Sequence, residues 1–91
     1  MDKAASLLER TAEKLEVSIE DFVHMDMGEQ MSMIEEYLDY EPTSQQRWGI
    51  GLTLNALHDI PIEGRTLEYI PYLESFRWRD VYTGQFARPP P

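Results

Sequence analysis

Residues 18–41 read SIEDFVHMDMGEQMSMIEEYLDYE and carry two helix starts in succession. Ser18 is the N-cap of the first, with Asp21 three residues on. Val17 before the cap and Phe22 at the fourth helical position stand at the two ends of a hydrophobic staple. A cap oxygen satisfies one of the backbone N–H groups that every helix leaves unpaired at its start, so these residue types have a physical reason to sit together. This helix is short and ends near Met25 or Asp26. Asp26 with Glu29 repeats the cap spacing. Met27, Met31, Ile34 and Leu38 then follow at i, i+4, i+7 and i+11, one apolar stripe along a helix. Glu29, Ser32, Glu35, Glu36 and Asp39 fill the remaining circumference. Pro42 restricts the residue before it to extended backbone, which closes this helix by about Asp39.

On the N-terminal side, residues 2–16 predict a helix with Leu8, Ala12 and Leu15 inward, Ala5 behind them and Asp2 as cap. On the C-terminal side, Thr43 and Gln46 predict a capping box and a fourth helix over about 44–58. Trp48, Ile50, Leu52 and Leu54 alternate with Gly49, Gly51, Thr53 and Asn55, which is strand spacing, so two local signals compete here. As a helix the segment is apolar all round, which predicts the central buried one. Its two glycines then permit close approach of another backbone. Beyond residue 60, Pro61, Gly64 and Pro71 interrupt any regular pattern. Pro71 suits the first position of a short helix with Leu73 and Phe76 inward. FRWRDVYTG (76–84) reads as extended with Gly84 in a turn, and Phe86 to Pro91 reads as polyproline-like or disordered. The expectation is a mostly α fold. One domain, residues 1–91, forms a small bundle of four to five short helices over 1–60. An irregular or short-helix segment follows over 61–91 and runs into an extended aromatic and arginine-rich, proline-ended tail.

A 91-residue chain buries only about 60–65% of its unfolded surface, and with no cysteine neither disulfides nor thiolate-held metal can reinforce it. Part of its stability is therefore expected from a partner, either a second copy in a homo-oligomer or another protein. The charged N-terminus lacks the apolar core of a signal peptide, and no run of about 18 apolar residues occurs, so the expectation is a soluble cytoplasmic protein that does not enter a membrane.

The net charge of −9 is segregated. Residues 1–41 hold 12 acids and 3 bases, whereas residues 42–91 hold 5 of each. Between Lys14 and Arg47 there is no Lys or Arg. Such a field repels nucleic acid and anionic membrane and attracts basic surfaces, although simple solubility asks for charge as well. The candidate acidic contact face is Glu20, Asp21, Glu29, Glu35, Glu36 and Asp39. A second candidate contact region is the tail, with Tyr72, Arg77, Trp78, Arg79, Tyr82 and Phe86, because Trp, Tyr and Arg dominate interface hot spots.

Other chemistries find weaker footing. Ala12, Leu15, Val17 and Ser18 have the spacing of a helix-turn-helix, but Glu16 replaces the usual turn glycine. Glu20 and Asp21 stand where phosphates would lie. Met25, Met27, Met31 and Met33 beside His24 and Asp26 are soft donors for Cu(I), yet on a helix they need not converge, and core filling is methionine's usual use. His24 and His58 are distant in sequence, Glu35 and Glu36 diverge on a helix, and no phosphate-binding loop, nucleophile motif or zinc spacing is present. No catalytic residue, metal or cofactor is expected. The expected function is a non-catalytic interaction module, an inhibitor or accessory subunit that presents its acidic helical face to a basic partner. A sharper form is a nucleic-acid mimic such as a phage anti-defence protein. The alternative is an assembly component of a larger complex anchored by its tail, which deleting residues 77–91 would release; a helix-turn-helix-like regulator is a minor third.

Overall fold

The computed structural model describes residues 3–90, so Asp2, the expected first cap, and Pro91 lie outside the described residues. Four helices come first: α1 (Lys3–Lys14), α2 (Ile19–Val23), α3 (Met27–Leu38) and α4 (Ser44–Leu57). Three strands follow, β1 (Arg65–Ile70), β2 (Ser75–Asp80) and β3 (Phe86–Ala87), with a single 3₁₀ turn (Pro71–Leu73) between the first two. They pair as an antiparallel sheet in the order β1-β2-β3. The fold is thus α+β, and the expectation of a helical bundle with an extended tail is overturned by this sheet.

The helix starts follow from local chemistry. Ser18 Oγ accepts from Asp21 N–H at 3.1 Å, and Asp26 Oδ1 accepts from Glu29 N–H at 2.8 Å. At α4 the capping box is reciprocal: Thr43 Oγ1 accepts from Gln46 N–H at 3.1 Å, and Gln46 Oε1 accepts from Thr43 N–H at 2.9 Å. These caps decide the competition over residues 44–58 in favour of helix. The ends are equally local. Glu16 takes φ 57°, in the left-handed region, while Val17 N–H reaches back to Ala12 C=O at 3.0 Å. The position where a helix-turn-helix favours glycine therefore does have the backbone that glycine suits, occupied by a glutamate. Helix α3 ends on Asp39, also left-handed at φ 58°, rather than through the proline restriction at Pro42.

The sheet is built by cross-strand pairing. Leu67 faces Trp78 and Tyr69 faces Phe76, with the Tyr69 and Phe76 rings 5.3 Å apart. These four residues form the inner face, on which α4 packs against β1. The alternation FRWR, apolar in and arginine out, is what a half-buried antiparallel strand requires. Pro71 does open a helical turn, as its fixed φ suits, but the turn is a single one that links two strands. Phe76 consequently lies in the core through β2, whereas Leu73 is exposed. Earlier, Glu63 (φ 48°) and Gly64 (φ 77°) form a two-residue reversal closed by two hydrogen bonds between Ile62 and Arg65, both 2.9 Å. A Cβ on Gly64 would come within 3.0 Å of the Tyr82 ring, a second reason for glycine there.

The core joins Ala5, Leu8 and Ala12 of α1, Phe22 of α2, Ile34 of α3, Leu54 and Ala56 of α4, and Leu67, Phe76 and Trp78 of the sheet. Full burial of a side chain such as Phe22 is worth roughly 1.5–3 kcal/mol. Met25, Met27, Met31 and Met33 all pack against this core, Met33 included although it lies off the stripe of Met27, Met31, Ile34 and Leu38. Two polar side chains are fully enclosed with them: Thr11, whose Oγ1 donates to Leu7 C=O at 2.8 Å, and Gln30. Gln30, 0% exposed, donates through Nε2 to Phe22 C=O at 2.8 Å, and its Oε1 lies 2.9 Å from His58 Nε2. Since the Gln30 amide nitrogen is spent on Phe22, its oxygen must accept, so His58 Nε2 carries the proton. This link ties the end of α2 to the end of α4 through α3.

Candidate functional site

The acidic residues come from the first turn of α2, from α3 and from the residue that caps the end of α3. In α3, Gln30 and Ile34 point into the core, so the opposite side, 180° away at 100° per residue, presents Glu29, Ser32 and Glu36. Glu20 and Asp21 are exposed on the first turn of α2, where negative charge also complements the helix dipole. Asp39 is exposed just beyond α3. Among the described residues, none of Glu20, Asp21, Glu29, Glu36 and Asp39 takes part in an ion pair. Glu35 differs: it lies toward α4 and meets Arg47 at 3.2 Å. Five of the six candidate carboxylates thus stand exposed and outside any ion pair, two on α2 and three on or just beyond α3, while the sixth bridges α3 to α4.

The tail residues separate. Trp78, 5% exposed, is a core residue opposite Leu67 and is corrected from contact candidate to packing. Arg77, Arg79 and Phe86 share the outer face of the sheet, where the Arg79 guanidinium stands 4.7 Å and that of Arg77 5.6 Å from the Phe86 ring centre. Arg79 is largely committed: its Nε donates to Glu68 Oε1 at 2.7 Å, Nη2 reaches the same oxygen, and Nη1 donates to Gly84 C=O. Tyr72 and Tyr82 are 82% and 88% exposed, on separate turns. Phe86 and Ala87, expected in a polyproline-like or disordered end, form β3 against Arg79 and Trp78. Residues 77–87 thus belong to the sheet rather than to an extended tail, and deleting 77–91 would remove β3, four of the six residues of β2 and a core tryptophan.

The remaining candidates are placed as follows. Helix α2, the would-be recognition helix, has 5 residues, about 7.5 Å of axis, and its outer side is acidic. His24 is exposed, and His58 is bound to Gln30. Among the described residues no three His, Asp or Glu side chains come together as a metal site, and no helix is long and apolar enough to cross a membrane.

Sequence reasoning missed one surface. Trp48, expected inside a central helix, is 70% exposed on α4. Its signal was the apolar pattern running all the way round that helix, which implied cover on every side. No family model, no curated protein and no solved structure matches this chain.

Proposed function

We propose that this protein is a non-catalytic, cytoplasmic interaction module that docks a basic partner surface on the face made by Glu20, Asp21, Glu29, Glu36 and Asp39. The observation that supports it is the set of five exposed carboxylates without a cation, on the half of the chain that holds the whole net charge. A solvated face needs charge, but it does not need charge of one sign, and like charges held together cost stability that a cationic partner returns. In its sharper form the face competes with nucleic acid for a basic groove, as an anti-defence mimic would.

The test is affinity capture from the host extract at about 50 and about 300 mM salt, with the wild-type chain and with Glu20→Lys/Glu29→Lys/Glu36→Lys, followed by mass spectrometry. The expected partner is basic, is lost at the higher salt and is not held by the triple variant. Nucleic acid added to the eluted complex displaces the protein if the mimic form holds. Equal capture by both chains at both salts would refute the proposal. The substituted positions are exposed, so the variant keeps its fold.

A further inference from the structure

Helices α1 and α4, with Leu38 and Tyr40 at the end of α3, border an open hollow of about 460 Å³. Each helix gives it one stripe. Lys3, Ala4, Leu7 and Leu8 of α1 stand at i, i+1, i+4 and i+5, and Gln46, Gly49, Ile50 and Thr53 of α4 at i, i+3, i+4 and i+7. The base makes no polar demand. Leu8 is fully buried, and Thr53, 7% exposed, donates its hydroxyl proton to Gly49 C=O at 3.1 Å. Leu7, Leu38 and Ile50 pack on the core yet stay partly exposed. In the middle of the α4 stripe, a Cβ built on Gly49 meets nothing within 4 Å, so there is room beside it. Sites for small molecules have this character: roughly 300–1,000 Å³, mostly apolar walls and a few polar groups that fix orientation.

Charge says which molecule fits. Six of the lining residues belong to the acidic half of the chain, yet no carboxylate lines the hollow. Two other hollows are rimmed by acids, Glu20, Asp59 and Glu68 around one and Glu9, Glu13 and Glu74 around the other. Here the single charge is the Lys3 ammonium, exposed and, among the described residues, outside any ion pair. Tyr40, 54% exposed, brings a hydroxyl that makes no hydrogen bond among the described residues. Apolar walls with an unengaged ammonium and phenol at the rim match a hydrocarbon that ends in a carboxylate. We propose that this hollow binds an amphiphilic carboxylic acid. Its hydrocarbon lies among Leu7, Leu8, Leu38 and Ile50, and its carboxylate meets Lys3, with Tyr40 as the second polar group of the rim. The site is separate from the acidic docking face, none of whose five residues lines it.

The test is isothermal titration calorimetry of the full chain with hexanoate, octanoate and decanoate below their micellar limits, and with octanol as the uncharged match to octanoate. Affinity rises roughly fifteenfold from each acid to the next, since each of two buried methylenes contributes about fourfold. Lys3→Glu weakens octanoate roughly tenfold, because it replaces attraction by repulsion, and leaves octanol unchanged. Gly49→Leu fills the hollow from the α4 stripe and abolishes binding of both. Its thermal midpoint does not fall, because leucine favours the helix and its side chain enters open space. Amide NMR shifts on adding decanoate are confined to α1, Leu38 to Tyr40 and residues 46–53. No heat and no shifts with any of the acids would overturn the proposal and leave the hollow to apolar side chains of a partner protein. Binding that survives Gly49→Leu overturns it too, by placing the ligand elsewhere. Octanoate bound equally well by Lys3→Glu overturns the carboxylate assignment.

Discussion

Gln30 is the place where this small core depends on a polar side chain, and Gln30→Ala tests how much. The amide makes two hydrogen bonds, to Phe22 C=O and to His58, each worth about 1 kcal/mol net. Its buried methylene adds about 0.8 kcal/mol, and the vacated volume adds a little more. The groups left behind are not stranded, which limits the loss. Phe22 C=O still accepts from Met25 N–H at 3.2 Å, and His58 is half-buried, within reach of water. The expected destabilisation is about 3 kcal/mol, a quarter to a half of the total stability of a domain this size. It lowers the thermal midpoint by roughly 12–24 °C. Gln30→Leu keeps the packing and loses only the bonds, for about 2 kcal/mol. Urea unfolding followed by Trp78 fluorescence, with scanning calorimetry, measures both. A double-mutant cycle with His58→Ala should show about 1 kcal/mol of coupling. A loss below about 1 kcal/mol for Gln30→Ala, or no coupling to His58, would refute the view that this link joins α2, α3 and α4.

Two further outcomes follow from the same packing. Trp78→Ala should cost about 3–5 kcal/mol and lower the thermal midpoint by roughly 12–40 °C, read by far-UV circular dichroism; retention of the wild-type midpoint would show that β2 is not part of the core. Gly49→Ala should stabilise by about 1 kcal/mol and raise the midpoint by roughly 4–8 °C, because a Cβ there meets nothing within 4 Å and alanine is the better helix former.

What could be read from the chain follows the range of the interactions involved. Caps act over three residues, so Ser18 with Asp21, Asp26 with Glu29 and Thr43 with Gln46 each marked a helix start that forms. The strands escaped because their evidence lies across a pairing. FRWR alternates, but alternation acquires meaning only when Leu67 and Tyr69 stand opposite Trp78 and Phe76. Pro71 compounded the error, since a proline that opens one 3₁₀ turn and a proline that opens a longer helix look alike locally. The candidate acidic face was legible as composition, because charge is counted rather than folded. That Glu35 leaves it for Arg47 required the α3–α4 contact.

The two tryptophans show the division most plainly. The sequence by itself determined the helix starts, the apolar stripes of α1 and α3, and the one-sided charge of residues 1–41. It also determined that α4 is apolar all round, but not which of its sides is covered. Only the tertiary structure decided that, by spending Trp78 on the inner face of the sheet and leaving Trp48 outside. The reason is geometric. A helix has an apolar surface wherever its residues are apolar, but α1, α3 and the three-stranded sheet pack on one side of α4, and among the described residues Trp48 on another side stays exposed.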